Sequence, residues 1–481
     1  MKHLSTIILV LVIIYSGYSQ QHNIFKNSAA NIDSLSQSSC NAHEKKPLHC
    51  LKDFFSKGHV SGHMRYYFMT TSNKGPLSTY YANGLGGLLA YHTAIWKGFQ
   101  LGVEGVFIYN IGSSDLGAID PIGGGRSRWE LQLFDIKHPD NKTDLDRLEQ
   151  LYIKYYFRKG SFVEYGKIGL ETPLMNYQDT RMKAYSFAGF WSQIVELDKF
   201  RFNLGWIHGV SSRAMTHWYP IKEAIGFYGS GYTTHGDASE YNHHLKTAGV
   251  GIASAQFQPN SNFKFQVWDY FIENISNTLW LQADFNKKFG QTKFFTGVQF
   301  LRQDPINKGG NENYHYAYHS LDQRTNLISS QIGLSRWGFT FSTNYTYIAE
   351  TGRYLFPREL GREKFYTTIP RFRIEGLGNT HMLVAKLNYI PPKLSSLSID
   401  WTVAYLKSPN IDQYQWNKYQ QIPFLNYAMD IRYHFDKFLQ GLDFRLLYTY
   451  RQALEDYSND YQAIFNKGDL HHLSFVLDIN F

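Results

Sequence analysis

The sequence predicts an all-β fold, a transmembrane antiparallel β-barrel of about 18 strands with short periplasmic turns and long external loops. Three observations predict it: side chains that alternate up to the C-terminus, an aromatic-rich but polar composition, and connections that alternate in length. From Leu473 to Phe481 every odd-numbered residue is apolar, while Ser474, Asp478 and Asn480 lie on the opposite face. This period of two is typical of a strand with one apolar and one polar face.

The composition combines many aromatic residues with a net polar chain. The 481 residues include 36 Tyr, 35 Phe and 10 Trp, yet the mean hydropathy is only −0.38. Aromatic girdles at the membrane interfaces and a wet lumen account for both values. The formal charge is +8, but Lys and Arg are dispersed without a basic tract. We therefore expect no nucleic-acid partner, because a surface facing anionic lipid or anionic solutes explains the excess equally well.

Alternating segments recur along the chain, and their connections differ systematically in length. We predict strands at 58–71, 79–96, 99–111, 149–158, 161–169, 186–196, 200–210, 245–257, 262–273, 276–288, 292–303, 324–336, 338–348, 379–390, 396–407, 424–436, 441–451 and 470–481. Every second connection is tight, as at Lys97-Gly98, whereas the intervening ones include 112–148, 211–244, 304–323 and 349–378. Short turns at one rim and long loops at the other are characteristic of bacterial outer-membrane barrels.

The N-terminus has the organisation of an export signal. Lys2 precedes an apolar run from Leu4 to Tyr15, and small or polar residues follow. We therefore predict three regions: a signal peptide at 1–20 that is removed, a periplasmic leader at 21–57, and the barrel at 58–481. The leader contains both cysteines, Cys40 and Cys50. They are a candidate disulfide in an oxidising periplasm, and an unpaired state is equally open.

Strict alternation assigns the two faces of several strands. In the segment 441–451, Leu446 and its alternate neighbours are apolar or aromatic and are expected to face lipid. The charged residues between them are expected to line a wet lumen, since a soluble barrel packs apolar side chains inside. The predicted lumen wall comprises Lys386, Asp400, Asp430, Arg432, Asp443 and Arg445. Opposite charges on neighbouring strands are also explained as structural ion-pair ladders.

Three longer segments carry a family resemblance. They are GHVSGHMRYYFMTTSN at the first strand, YYANGLGGLLAYHTAIWKGFQLGVEGVFIYNIG at the second hairpin, and FVEYGKIGLETPLMNYQDTRMKAYSFAGFW at 162–191. They resemble the OprD-type family of substrate-selective bacterial outer-membrane porins. The resemblance implies a monomeric eighteen-stranded channel with a ladder of arginines that guides carboxylate-bearing solutes. It also implies narrowing by the third and seventh external loops, which correspond to 170–185 and 349–378.

Both of these loops carry charged residues suited to a pore constriction. The candidates are Glu171, Tyr177, Asp179, Arg181 and Lys183 in the third loop, and Arg353, Arg358, Arg371 and Arg373 in the seventh. Mixed charges across a narrow neck produce a field that orients anionic or zwitterionic solutes, and arginine recognises carboxylates through paired hydrogen bonds. Two plainer explanations remain open. Asp179 and Arg181 pair only to fix their loop, or the arginines belong to a solvated external loop.

These features predict passive, selective diffusion of small hydrophilic solutes, anionic or zwitterionic, with no enzyme activity, cofactor or metal. Adjacent histidines such as His471-His472 are unsuited to share a metal, because neighbouring strand positions point in opposite directions. The alternatives are a barrel hydrolase and an adhesive or structural barrel. No segment resembles the motifs of barrel hydrolases, which need a Ser-His or Asp-His arrangement at a rim.

The expected surroundings are those of a Gram-negative outer membrane. Outer-membrane lipid and lipopolysaccharide would contact the barrel exterior, and small solutes would pass through it. The terminal Phe481 resembles the C-terminal signature by which such barrels are assembled. We therefore expect the barrel assembly machinery to be a further partner, and the channel to be monomeric.

Overall fold

A computed structural model of the protein describes residues 51–481, except for 159, 437–438 and 458–459. The chain divides into two units, Met1–Pro47 and Leu48–Phe481, and all described residues belong to the second. The predicted signal peptide, most of the predicted leader and the candidate disulfide between Cys40 and Cys50 lie outside the described residues.

The described residues form nineteen strands, three short α-helices and two 3-10 turns. The strands are β1 His59–Asn73, β2 Tyr80–His92, β3 Phe99–Ser113, β4 Arg147–Arg158, β5 Ser161–Ile168, β6 Ser186–Ile194, β7 Phe200–Ser211, β8 Tyr219–Pro220, β9 Val250–Phe257, β10 Phe263–Ile272, β11 Ser276–Phe289, β12 Thr292–Pro305, β13 Thr325–Arg336, β14 Phe339–Ile348, β15 Thr380–Tyr389, β16 Leu397–Lys407, β17 Phe424–His434, β18 Leu442–Ala453 and β19 Leu470–Asn480. The helices are α1 Leu51–Ser56, α2 Ile221–Ala224 and α3 Tyr461–Ile464, and the 3-10 turns are Leu131–Leu133 and Arg358–Leu360.

Eighteen of these strands close into one antiparallel barrel. Each long strand pairs with its neighbours in sequence, β7 pairs directly with β9, and β19 returns to pair with β1. The predicted fold class, with its strand number, is therefore confirmed. The two-residue β8 was not predicted, and it pairs only with β7 inside a long loop. Pro220 lacks an amide hydrogen, which limits this strand to a short edge pairing.

The short turns have the backbone geometry that tight hairpins require. Lys97 and Gly98 adopt φ values of +49° and +88°, and Trp337 and Gly338 adopt +52° and +84°. Two consecutive positive φ values are characteristic of two-residue hairpin loops, whose twist matches that of the strands. At Gly338 a Cβ atom would lie 2.2 Å from the carbonyl oxygen of Ile390, so no other residue fits there without a shift.

Two predicted strand boundaries differ from the structure by more than two residues. The strand predicted at 245–257 begins only at Val250, and the strand predicted at 79–96 ends at His92. Leu245 is apolar because it packs into the loop core, and it thereby extends the apparent pattern of the strand. After His92 the backbone instead contacts α1, where the Ala94 amide donates to the Phe54 carbonyl at 3.0 Å.

The outward face of the barrel is apolar and the inward face is largely polar. On β18, Leu446 lies opposite Ile431 of β17 and Phe475 of β19, so the three form an outward apolar row. Thr449 and Arg451 occupy the other face of the same strand and are fully buried. None of the helices formed by the described residues is long and apolar enough to cross a membrane.

The barrel interior also contains an extensive apolar cluster, which the prediction of a wet lumen does not account for. Residues of the long loops, including Leu174 and Phe365, pack against inward aromatic side chains of the wall such as Tyr270 and Trp280. The rings of Trp280 and Phe365 stack with their centroids 4.9 Å apart. The long loops therefore fold into the barrel and build a core there.

Candidate functional site: loops 3 and 7 inside the barrel

Two loops reach the middle of the barrel from the rim that carries the long connections. Loop 3 (169–185) joins β5 to β6, and loop 7 (349–379) joins β14 to β15. The Asp179 carboxylate of loop 3 bonds to Arg65 in the middle of β1. The Tyr366 hydroxyl of loop 7 donates to Asp284, past the midpoint of β11, at 2.6 Å. Both loops predicted from the sequence to lie near the pore are thus inside the barrel.

Loop 3 crosses the lumen by means of a tight turn around Pro173. The Thr172 hydroxyl donates to the Met175 carbonyl at 2.7 Å and accepts the Tyr270 hydroxyl at 2.9 Å. Tyr270 lies on β10, so this turn attaches the loop to the wall far from its own strands. Thr and Pro favour such a local turn, because the hydroxyl satisfies backbone groups and the ring fixes φ.

Asp179 does not pair with Arg181, as the plainer explanation of the sequence proposed, but with Arg65. The guanidinium of Arg65 approaches both carboxylate oxygens of Asp179, at 2.5 and 2.9 Å. It also donates to Asp478 of β19 at 2.6 and 3.0 Å, and it is only 8% exposed. One planar fork thus holds two carboxylates, a geometry that lysine cannot reproduce.

Arg181 and Lys183 are the most deeply buried of the candidate residues, each only 1% exposed. Arg181 donates to the Thr180 carbonyl at 2.7 Å, and the Lys183 ammonium donates to the Phe134 carbonyl at 2.8 Å. Burial, aided by the nearby charge of Arg147, lowers the pKa of Lys183 to about 7. The Lys183 side chain thus reaches another loop, whereas the Arg181 side chain bonds within loop 3.

Glu171 and Tyr177 each link loop 3 to a different partner. The Tyr177 hydroxyl donates to the Glu104 carboxylate of β3 at 3.0 Å, and burial raises the pKa of that phenol. Glu171 forms an ion pair with Lys364 of loop 7. Burial lowers the pKa of Lys364 to about 8, although its side chain is still 38% exposed.

The four candidate arginines of loop 7 all make specific contacts, which excludes a fully solvated loop. Arg353 donates to the carbonyls of Tyr232 and Tyr414 at 2.9 and 3.0 Å, and burial lowers its pKa to about 10. Arg358 donates to the Glu375 carboxylate at 2.6 Å and lies 3.7 Å from the centroid of the Tyr419 ring.

The other two arginines connect loop 7 to the wall and to loop 3. Arg371 donates to His472 at 2.7 Å and to Ser474 at 2.6 Å, both on β19. Arg373 donates to the Tyr185 hydroxyl of loop 3 at 2.7 Å. Loop 7 therefore reaches from its own strands to β19, four strands beyond β15 along the wall.

Loops 3 and 7 also bond to each other along their backbones. The Asn176 side-chain amide donates to the Arg362 carbonyl at 2.7 Å, and the Lys364 amide donates to the Pro173 carbonyl at 3.0 Å. Gly361, with φ +142°, makes this approach possible, since a Cβ there would lie 2.5 Å from the Leu174 carbonyl oxygen. The two loops thus form a single packed unit.

The predicted lumen wall carries an ion-pair network on β17 and β18. Asp430 accepts from Arg445 at 2.9 and 2.7 Å and from Arg432 at 2.6 Å, so two guanidinium groups share one carboxylate. The Asp430 side chain is only 7% exposed, whereas Arg432 and Arg445 remain 40% and 31% exposed. The ladder expected from strand pairing is present, and it leaves the positive groups facing the lumen.

The remaining wall candidates are also hydrogen-bonded. Asp443 accepts from His434 at 2.6 Å, and Asp400 accepts from the Asn388 side chain at 2.9 Å. The Lys386 ammonium donates to the Tyr366 carbonyl of loop 7 at 2.7 Å. Lys386 therefore connects the wall to the loop unit.

The sequence prediction omitted two side chains that fix loop 3, Arg65 and Glu104. Arg65 lies in the first of the quoted family-like segments and, by alternation, on the inward face of β1. That position could have indicated a lumenal role. Its partner Asp179 is 114 residues away in the chain, and no local pattern indicates this pairing.

The sequence and the fold are both similar to those of known outer-membrane porins. Residues 123–362 match the family model of the outer membrane porin OprD family. The fold is similar to the crystal structure of Pseudomonas aeruginosa OccK9 (OpdG), with a TM-score of 0.69 at 13% identity, covering 89% of this chain and 100% of that one. Acinetobacter baumannii OccAB2 gives a TM-score of 0.68 at 13% identity, covering 89% of this chain and 99% of the other.

A third similar structure contains a ligand. Pseudomonas aeruginosa OpdK with vanillate gives a TM-score of 0.63 at 12% identity, covering 89% of this chain and 99% of that one. Among curated proteins, none matches this sequence.

Proposed function

Because the chain belongs to the OprD family of outer-membrane porins of Gram-negative bacteria, we propose that it mediates selective, passive diffusion of small hydrophilic solutes through a neck bounded by loops 3 and 7. Anionic and zwitterionic solutes are favoured. The channel is not an enzyme, and it works as a monomer.

The observation that carries this proposal is a pair of exposed guanidinium groups on the wall beside the loop unit, Arg432 and Arg445. Loops 3 and 7 bond to each other inside the barrel, and Arg432 and Arg445 share the single carboxylate of Asp430 on the wall. Charges in a narrow neck are poorly screened, so these exposed guanidinium groups lower the energy of a carboxylate there, although Asp430 and the neighbouring Asp400 offset part of their charge. The OpdK structure, which has the same fold, was obtained with vanillate, a carboxylate.

In this proposal the candidate residues of the two loops have different roles. Glu171, Lys364 and Asp179 are partly exposed and border the neck, where they add the transverse field. Buried residues such as Arg181 and Lys183 determine the shape of loop 3. Arg371 holds loop 7 against β19, whereas Arg353 bonds it to neighbouring loops. Arg358 and Arg373 join it to loop 3 through Tyr185.

Ion selectivity in planar lipid bilayers tests the proposal. The double variant Arg432→Gln/Arg445→Gln should shift the reversal potential in a salt gradient away from anions, most strongly at low salt where charges are least screened. Arg158→Gln is the matched control, because Arg158 is 75% exposed at the rim of short turns. Equal selectivity in the wild type and the double variant would refute the role of the wall arginines, and a barrel without conductance would refute the channel itself.

A further inference from the structure

Three arginines from three different loops converge on Thr180 of loop 3. Arg181 donates to the Thr180 carbonyl at 2.7 Å, and Arg213 of loop 4 (212–249) donates to the Thr180 hydroxyl at 2.9 Å. Arg371 of loop 7 donates to the Tyr67 hydroxyl at 3.1 Å, and that hydroxyl donates to the same Thr180 carbonyl at 3.4 Å. Two guanidinium groups thus bond to Thr180 directly, and the third is linked to it through Tyr67.

No carboxylate of the described part of the chain contacts these three groups directly, and the buried Glu130 acts on Arg371 only across His472. Arg181, Arg213 and Arg371 are 1%, 7% and 9% exposed, and none of them lies within 4.0 Å of an Asp or Glu oxygen of a described residue. The Nε atoms of Arg181 and Arg213 are buried and have no hydrogen-bond partner among the residues described.

Three buried positive charges that have only one carboxylate nearby, and none in direct contact, are energetically costly. An isolated buried ion loses its hydration, and a like charge nearby adds repulsion. Burial, with Arg371 and Arg213 adding repulsion, lowers the pKa of Arg181 well below its usual value. Guanidinium nevertheless stays protonated in proteins, so a compensating anion resolves the conflict better than proton loss does.

We propose that Arg181, Arg213 and Arg371 form a binding site for a small inorganic oxyanion that fastens loop 3 to loops 4 and 7. Oxyanions with several acceptor oxygens, such as phosphate or sulfate, suit guanidinium donors arriving from different directions. The oxyanion comes from the aqueous lumen and not from a lipid headgroup, because Tyr67 lies on the inward face of β1, with its alternate neighbours Arg65 and Met69. The site is distinct from the exposed wall arginines, Arg432 and Arg445.

Urea unfolding of the purified full barrel in detergent tests the proposal. The midpoint is measured at pH 7 in sodium phosphate, sodium sulfate and sodium chloride at matched ionic strength. Phosphate and sulfate should raise the wild-type midpoint saturably and more than chloride does, because binding to the folded state alone stabilises it. Arg158→Gln should behave like the wild type.

For the variants Arg181→Gln and Arg213→Gln, the proposal predicts opposite stability differences from the wild type without and with phosphate. Without phosphate or sulfate each variant should be at least as stable as the wild type, because it removes an uncompensated buried charge. With phosphate each should lose most of the wild-type gain. Equal midpoint shifts in the three salts, or variants that are destabilised by the same amount with and without phosphate, would overturn the site.

The phenol of Tyr67 offers an internal alternative that the same samples can exclude. If Tyr67 were ionised and supplied the counter-charge, the wild type would show tyrosinate absorbance at pH 7 that Tyr67→Phe removes. The proposal expects no such signal and a preserved phosphate effect in Tyr67→Phe. The opposite result would overturn it.

Discussion

At the scale of single residues, several cationic side chains of the loops are buried, which the composition alone does not indicate. The sequence has a formal charge of +8 that appears dispersed. The structure removes several of these charges from water: Lys183 and Arg181 are each 1% exposed and bond to backbone carbonyls. The net charge of the sequence therefore predicts neither the electrostatic field in the neck nor the stability of the barrel.

Lys183 should make stability depend on pH. Burial lowers its pKa to about 7 in the folded protein, from an ordinary value of 10.5. Between these values the unfolded chain holds more protons, so the free energy of unfolding rises with pH, by at most about 1.4 kcal/mol per unit. Below pH 7 both states are protonated, so Lys183 no longer makes the free energy of unfolding depend on pH. Lys183→Met should flatten the rise between pH 7 and 10 in urea unfolding.

The control for that measurement is Lys57→Met, since Lys57 directly follows α1 and its side chain is 54% exposed. It should keep the wild-type slope. If Lys183→Met retains the full slope as well, the Lys183 ammonium is not the titrating group.

Leu446 tests the assignment of the outward face. It lies near the middle of β18 between the outward residues Ile431 and Phe475. Leu446→Arg should lower the free energy of unfolding in lipid vesicles by about 2–4 kcal/mol, because an arginine near the bilayer midplane is unfavourable. Leu442→Arg at the end of the same strand should cost only about 0–1 kcal/mol. Equal costs at the two positions would contradict the assigned membrane depth.

At the scale of elements, the strands follow from local pattern and the loop contacts do not. Alternation and turn chemistry identify eighteen barrel strands because each depends on neighbouring residues. The Arg65–Asp179 pair joins β1 to loop 3 across 114 residues, and the Arg371–His472 contact joins loop 7 to β19 across 101. Such contacts depend on how the closed barrel brings distant elements together, so the sequence indicated the charged residues but not their partners.

Arg65 should position loop 3. Arg65→Gln leaves Asp179 and Asp478 without their shared cation, and these partly buried carboxylates would repel each other. Loop 3 should then loosen, and single-channel recordings should show a larger and noisier conductance than in the wild type. Arg65→Lys should rescue this only partly, because an ammonium does not provide the planar fork. Unchanged conductance in Arg65→Gln would mean that the Thr172–Tyr270 attachment suffices.

At the scale of the whole molecule, closure of the barrel leaves none of its eighteen strands at an exposed edge. The last strand pairs with the first over the register His63↔Asn480 to Asn73↔Leu470, so both ends of the described barrel lie in one seam. The terminal residue extends this seam, because the Phe481 and Gly62 backbones exchange two hydrogen bonds of 2.9 Å. We propose that β19, which pairs with β1 to complete the ring, is recognised during assembly.

Phe481 should therefore matter for assembly more than for final stability. Its side chain is 51% exposed, and its backbone bonds do not depend on the ring. Phe481→Ser should reduce the amount of folded barrel in the outer membrane, measured by heat-modifiable gel mobility, while refolding into pure lipid vesicles stays near the wild-type yield. Ile479→Ser, which removes a similarly exposed apolar group two residues earlier, is the matched control and should assemble better than Phe481→Ser. Equal loss in cells and in vesicles would assign Phe481 a role in stability, and full assembly in cells would refute its recognition by the assembly machinery.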